Sequence, residues 1–371
     1  MTAAPPTFRA AVLSAVGAPL RIERVTLAPL APGDVLVRNR ASGLCHTDLE
    51  VIEGSLAYPL PIVLGHEGAG IVEAVGSAVT LVRRGDHVVA SWNPHCGHCY
   101  YCERSLPILC EPFTREQPRG NLLDGASRLS WNGARLNHFS VVSSHAEYFV
   151  VPESGAIAVP VEMPFDRACL LGCGVMTGVG AVSRLARVEA GANVAVIGCG
   201  AVGLNAIQAA VLEQAAVVIA VDSDPSKLGL AARFGATHGV VADENTIDIV
   251  RSLTAGRGAD AVFEAAGAEA SLRLGLEITR PGGQLVILGK TEVNRLVALR
   301  FGSLMGEKQI VRSSYGEASP KRDFPWIAEQ YLLGNVMLDE MITRRIRLDE
   351  INDGFADLAA GIGTRTVVEM S

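Results

Sequence analysis

Four cysteines set the tightest limit on how this chain folds. Cys96, Cys99, Cys102 and Cys110 stand in PHCGHCYYCERSLPILCEP, at two steps of three residues and one of eight. Unrelated buried thiols do not generate such spacing, so the segment must gather four sulfurs round one point. Zinc fits, because it takes four sulfurs at about 2.3 Å in a tetrahedron and demands no particular ligand field. An iron–sulfur cluster and a set of disulfides are the other assemblies open to these residues. Four sulfurs leave no vacant position, so the loop 92–112 is expected to carry a structural zinc and not a catalytic one.

The chain around that loop changes character near residue 165. Before it, short apolar segments such as DVLVRNRASG, AGIVEAVGSAV and GDHVVASW alternate with Gly, Pro and Asp, which is an all-β pattern. From about residue 175, strand candidates (NVAVIG, AAVVIAVD, ADAVFEAAG, GGQLVILG) alternate with helical ones, the signature of a parallel sheet covered by helices. Asp224, Pro225 and Gly235 bracket one of those helices as N-cap, first-turn proline and terminating glycine. After about 315 a mixed tail follows, and its strands suggest a return to the first half. The fold class is therefore α/β, in two domains. Of 371 residues 49% are hydrophobic, ample for such cores, and glycine is frequent at 39.

Charge and length exclude several functions. The net charge is −7 with no lysine-rich run, so nucleic acid is not an expected partner. Apolar runs are broken well before about 18 residues, so no membrane span is expected. The N-terminus reads as no secretory signal, which points to a cytoplasmic protein with reduced thiols.

A glycine loop carries the next signal. Gly198, Gly200 and Gly203 form GxGxxG round Ala201 and Val202, directly between a strand and a helix. The first glycine makes the turn, the second admits a pyrophosphate to the backbone, and the third lets helix pack on strand. Asp222 ends the next strand, nineteen residues after Gly203, where a carboxylate hydrogen-bonds ribose hydroxyls and repels a 2′-phosphate. NAD is therefore expected over NADP. Three more residues, Cys45 in GLCHTDLE, His66 in LGHEGAG and Cys173 in LGCGVMTG, have the types for a second, open metal site. Residue types alone leave plain packing open for each of them.

The segments GLCHTD, GHEGAGIVEAVG, the four-cysteine loop and GCGVMTGVGA, in this order and followed by GCGAVG, resemble the zinc-dependent alcohol dehydrogenases of the medium-chain dehydrogenase/reductase superfamily, over essentially the whole chain. That resemblance implies a GroES-like catalytic domain over 1–174 and 315–371 and a Rossmann NAD-binding domain over 175–314. It implies two zinc ions per chain, the catalytic one on Cys45, His66 and Cys173. Such an ion lowers the pKa of an alcohol, and hydride then leaves the alkoxide carbon for nicotinamide. By the same resemblance Asp48 orients His66, Glu67 lies behind the metal, Thr47 takes the substrate proton, and His46 contacts the pyrophosphate. Relatives often place a histidine three residues after the Thr47 position; Glu50 stands here, so Glu50 and His46 are both candidates for the proton exit. Lys227 and Arg365 match positions near the cofactor's ribose and pyrophosphate.

By resemblance Trp92 walls the substrate cleft, and Leu56, Tyr58, Leu60 and Phe139 are candidates to add apolar surface to it. Lys290, where relatives place a small apolar residue, would read an anionic substrate if it turned inward. The loop after His46 lacks the acidic pair of glutathione-dependent formaldehyde dehydrogenases. CHTDL, GCGVMTG and SSYGEASPKRDFP are similar to the aryl-alcohol and mycothiol-dependent branches. Primary aromatic, allylic or medium-chain alcohols and their aldehydes are thus the expected substrates, with a thiol-adduct formaldehyde dehydrogenase as the alternative. A zinc-free reductase and a non-enzymatic zinc-ribbon binding protein are the further readings, disfavoured by the two ligand sets and the glycine loop. The stretch from Glu111 to Val151 resembles an insert of the dimeric members, so a homodimer is expected.

Overall fold

The computed structural model describes residues 7–292 and 294–370. Its contacts divide into two compact units, one ending at Cys173 and resuming at Ser319, the other spanning Gly174–Ala318.

The first unit is built on strands. Thr7–Leu13, Arg21–Leu27, Leu129–Trp131, Ala134–His138 and Ile62–Val63 close into a five-stranded barrel. Alternation along its first strand explains the closure. Phe8, Ala10 and Val12 point to one cluster, with Val25, Val63, Leu129 and Leu136. Ala11 and Leu13 point to the opposite one, with Leu44, Val51, Phe139 and Ile346. Both faces are buried, so a slip by one residue would exchange two cores.

Beside the barrel lies a seven-stranded sheet. Asp34–Gly43 is its hub, pairing antiparallel with Glu67–Val75, with Tyr148–Pro152 and with Arg365–Glu369 near the C-terminus. The chain's last strand thereby lies against one of its first.

The second unit is a six-stranded parallel sheet. In spatial order its strands are His238–Val241, Val217–Asp222, Asn193–Ile197, Ala259–Glu264, Thr279–Ile287 and Gln309–Arg312. Counted along the chain that is the order 3-2-1-4-5-6 of a doubly wound dinucleotide fold. The strand interiors are near-continuous runs of Val, Ala and Ile because helices cover both faces. Asp224 caps the helix Pro225–Arg233, its carboxylate accepting the Ser226 N–H at 2.9 Å, and Gly235 follows with a φ of +105°.

The helical run Phe165–Ala186 is apolar and long enough to cross a membrane by composition, with a mean hydropathy of 1.5. Burial of 78% of its apolar window within the protein is the behaviour of a core helix.

One buried histidine in the barrel makes a stability prediction. His138 has no exposed surface, and its Nε2 accepts the backbone N–H of Arg128 at 3.2 Å. Burial, then the guanidinium groups of Arg128 and Arg135, pull its pKa down to about 3. The folded ring is therefore neutral while an unfolded one protonates below about 6.5, so the unfolded state binds the extra proton and stability falls on acidification. Between pH 7 and pH 5 this one group is expected to remove about 2 kcal/mol. Guanidinium unfolding of wild type and His138→Gln at both pH values checks it: the variant should lose less stability by that amount.

Candidate active site and metal centres

Strand register assembles the first cluster. Gly43 pairs with Glu67, and Val367 with Gly43 on the other side. Continuing each strand by a residue or two brings Cys45, His66 and Arg365 to one end of the sheet. Cys45 then stands at the N-cap of the helix His46–Glu53 in extended conformation. Cys173 arrives from a different element. It lies in a π-helical turn, Leu171–Val175, set between Phe165–Leu170 and Met176–Gly180. The helix can sit close to the sheet because Gly172 has no side chain: a Cβ there would come within 2.9 Å of the Ala90 carbonyl and 3.4 Å of Glu67 Cα. π-turns of this kind are concentrated at functional sites.

The ligand atoms of Cys45, His66, Glu67 and Cys173 all lie within 4.8 Å of one another. Asp48 orients the imidazole: its Oδ2 is 3.2 Å from His66 Nδ1, and its Oδ1 accepts the Gly65 N–H at 2.8 Å. That contact leaves Nε2 as the ring nitrogen available to an ion. The ring is braced on its other side by Phe139, edge-on at 5.5 Å between centroids.

The electrostatics suit a cation. A hydrogen bond with Cys173 holds the Cys45 thiol well below its usual range, and the same bond pushes Cys173 up. Burial pulls His66 down, but the charges of Asp48 and Cys45 outweigh it and the net shift is upward. Glu67 is fully buried, and burial raises its carboxyl to about 7 against the opposing pull of Arg365. Its Oε2 pairs with the Arg365 guanidinium, whereas Oε1 is buried without a hydrogen-bond partner. Two thiols, one imidazole and an orphaned carboxylate oxygen form a donor set that zinc fits.

The structure places the other expected residues as follows. Thr47 is half-buried with Oγ1 3.8 Å from Cys45 Sγ, His46 is exposed at the start of the same helix, and Glu50 is half-buried on its next turn. Leu56, Tyr58 and Leu60 pack on the core that contains Phe139. Phe139, expected as a pocket wall, is fully buried between Tyr58 and His66, so it holds the imidazole in place and offers no open surface. Arg365, expected at a pyrophosphate, is instead 8% exposed and ion-paired with Glu67, because its strand runs beside that of Cys45. Trp92 is half-buried against Phe113, at 6.1 Å between ring centroids, joining the sheet core to the four-cysteine lobe.

One further residue escaped the sequence reading. His145 is fully buried with Nε2 3.8 Å from Asp48 Oδ1. Burial lowers it to about 4, so the ring is neutral. Nothing in SSHAEYF marks this histidine, because only the fold carries it to Asp48 from 97 positions away.

The sulfurs of Cys96, Cys99, Cys102 and Cys110 also lie within 4.8 Å of one another. A tetrahedron with 2.3 Å bonds has edges of about 3.8 Å, so the set is within a small adjustment of zinc geometry. All eight cysteines are free thiols. The backbone N–H of Cys96 points at Cys110 Sγ at 3.3 Å, a contact that stabilises thiolate.

In the second unit the glycine loop leaves the strand Asn193–Ile197 at the point where the strand order reverses, the ligand side of such sheets. Gly198 has a φ of +94°, and a Cβ there would press on the backbone of Ala265 and Ala266. Gly200 is exposed, and a Cβ on it would meet nothing within 4 Å; Gly203 packs on the Gly198 carbonyl. Ala201 and Val202 open the helix Ala201–Leu212, whose first turn presents free N–H groups. Asp222 Oδ2 accepts the Cys199 N–H at 2.7 Å and Oδ1 the Asp224 N–H at 2.9 Å, so the carboxylate is fixed at the strand end. Lys227 and Lys290 are exposed.

Residues 31–161 match the family model of the alcohol dehydrogenase GroES-like domain, and residues 201–331 that of the zinc-binding dehydrogenase. The chain belongs to the zinc-dependent alcohol dehydrogenases of the medium-chain dehydrogenase/reductase superfamily, and is an oxidoreductase using zinc and NAD. Among its relatives, the S-(hydroxymethyl)glutathione dehydrogenase of Escherichia coli O157:H7 is 37% identical over 365 residues, covering 97% of this chain and 99% of the relative. Benzyl alcohol dehydrogenase from Acinetobacter calcoaceticus is similar in structure, with a TM-score of 0.93 at 31% identity, over 98% of this chain and 99% of that one. An alcohol dehydrogenase zinc-binding domain protein from Burkholderia ambifaria superposes with a TM-score of 0.94 at 36% identity and the same coverage.

The two ligand sets are expected to separate by mutation. Metal analysis should find two zinc ions per chain in wild type and one in either Cys102→Ser or Cys45→Ser. Only the first of these should lose several degrees in Tm, since a closed structural site contributes folding energy. Two ions retained in both variants would contradict the assignment.

Proposed function

We propose that this chain interconverts primary aromatic, allylic or medium-chain alcohols and their aldehydes. The observation that carries the reading is the convergence of Cys45, His66 and Cys173, three donors that leave a position for a substrate oxygen when Glu67 stays with Arg365. The apolar character of Leu56, Tyr58 and Leu60 around Phe139, next to His66, supports an uncharged, ring-bearing or aliphatic substrate. Similarity to benzyl alcohol dehydrogenase supports it as well.

In this reading zinc held by Cys45, His66 and Cys173 would supply Lewis-acid chemistry, and NAD held at the glycine loop would supply a hydride acceptor. The protein's own groups handle orientation and the proton. Thr47 Oγ1, 3.8 Å from Cys45 Sγ, accepts the hydroxyl proton as it releases its own, which leaves to solvent by way of exposed His46 or of Glu50 on the next turn. Asp48 holds His66 in one tautomer. Glu67, steadied by Arg365, stands behind the thiols to assist ligand exchange. In the second unit Gly198, Gly200 and Gly203 with the helix N-terminus hold the pyrophosphate, and Asp222, with Lys227 nearby, holds the adenosine ribose.

The second reading, oxidation of a thiol adduct of formaldehyde, is favoured by the 37% identical S-(hydroxymethyl)glutathione dehydrogenases. Initial rates with NAD on benzyl alcohol, cinnamyl alcohol and hexanol, set against formaldehyde with glutathione or mycothiol, decide between them. The free alcohols are expected to have at least tenfold higher kcat/KM, and a higher value for an adduct would move the assignment to the second reading. Thr47→Val should lower kcat by about 100-fold on the better substrate if the relay begins at that hydroxyl.

We also infer a cytoplasmic homodimer. Eight free thiols suit a reducing compartment. The strand Gln309–Arg312 forms an edge of the parallel sheet, and Leu296, Phe301, Met305 and Ile310, on and before it in sequence, are exposed apolar residues. Light scattering should give twice the chain mass of 39.0 kDa, with Ile310→Lys shifting the protein toward monomer; a stable tetramer would overturn this.

A further inference from the structure

We propose that His145 is a positioning residue for the catalytic zinc, acting through Asp48: its Nε2–H faces the carboxylate that orients His66, so that Asp48 is clasped between two imidazoles. The inference rests on the catalytic-zinc reading of Cys45, His66 and Cys173.

The geometry carries it. Asp48 is fully buried, and an isolated carboxylate in such a place is costly unless donors surround it. Two donors reach its Oδ1, the Gly65 N–H at 2.8 Å and His66 Nδ1 at 3.4 Å, while Oδ2 keeps no hydrogen-bond partner and His145 Nε2 approaches Oδ1 to 3.8 Å. His145 Nε2 is itself buried with no hydrogen-bond partner, and Asp48 is the carboxylate it faces, slightly beyond hydrogen-bond length. The other ring nitrogen is committed. His145 Nδ1 lies 2.9 Å from Ser42 Oγ, which is 2.8 Å from Ser144 Oγ. A Ser42 hydroxyl that donates to Nδ1 puts the ring proton on Nε2, on the side of Asp48. The edge of Phe355, 5.7 Å away between centroids, limits ring rotation.

Backbone constraints press the histidine onto the metal-bearing turn. The His145 N–H donates to the Leu64 carbonyl at 2.9 Å, one residue before Gly65 and two before His66. Gly65 has a φ of +92°, and a Cβ there would come within 2.5 Å of the His145 nitrogen and 2.7 Å of its Nδ1. Only glycine permits this approach. The side chains Ser42, His145, Asp48 and His66 therefore follow one another from the hub strand to the donor set, the 3.8 Å approach of His145 to Asp48 being longer than a hydrogen bond. Outer partners of this kind fix the ring orientation of a metal-bound histidine and commonly change metal affinity 10–100-fold when removed.

Zinc release to a chromophoric chelator tests this without reference to turnover. Wild type should release two ions in two phases, and His145→Phe, which keeps the ring and removes both nitrogens, should accelerate one phase about tenfold and leave the other unchanged. His145→Gln places an amide N–H where Nε2 stands and should restore the wild-type rate. The absorption bands of cobalt substituted into the open site should shift in the Phe variant and not in the Gln variant, a signature that simple core filling does not produce. Unchanged release and spectrum in His145→Phe, or a Gln variant as fast as Phe, would overturn the proposal. If His145→Phe does not fold, Ser42→Ala decides: acceleration of the same phase supports the clasp, and a wild-type rate refutes it. A wild-type chain holding zinc in the four-cysteine lobe alone would overturn both this inference and the reading it rests on.

Discussion

The pairing of Asp34–Gly43 with its neighbours is the constraint on which the site depends. Because Gly43 sits opposite Glu67 on one side and Val367 on the other, Cys45 and His66, just past their strand ends, and Arg365, the first residue of its strand, meet at one end of the sheet. A slip of one residue in either register would turn alternate side chains to the opposite face and scatter the donors. The barrel and the sheet core, with Val35, Val37, Val72 and Val88 fully or almost fully buried, hold that register in place.

Charge compensation follows from the same arrangement. Two thiols, a carboxylate and an imidazole crowd together at the sheet end, and the buried guanidinium of Arg365 pairs with the carboxylate of Glu67. Asp48, buried behind His66, is met by the Gly65 N–H and by the His66 imidazole, whose pKa its charge raises.

Much of this was legible along the chain where chemistry is local. The spacing of Cys96, Cys99, Cys102 and Cys110, the glycines 198, 200 and 203 with Asp222, and the caps Asp224 and Gly235 each depend on a few neighbouring residues. The open donor set was different in kind. Cys45, His66 and Cys173 lie more than a hundred positions apart at the extremes, so their union was suggested by resemblance and not by spacing. Phe139 and Arg365 were matched to roles by position, but their burial, at 0% and 8%, reflects neighbours distant in sequence.

Local pattern thus determined the elements, the structural-zinc loop and the dinucleotide turn, because periodicity, capping and tight ligand spacing act over a few residues. The tertiary structure alone decided that the final strand lies beside the hub strand, that Arg365 faces Glu67, and that His145 stands behind Asp48. Those outcomes depend on sheet register and on the close approach that Gly65 allows, and both join segments that have no relation to one another until the cores are packed.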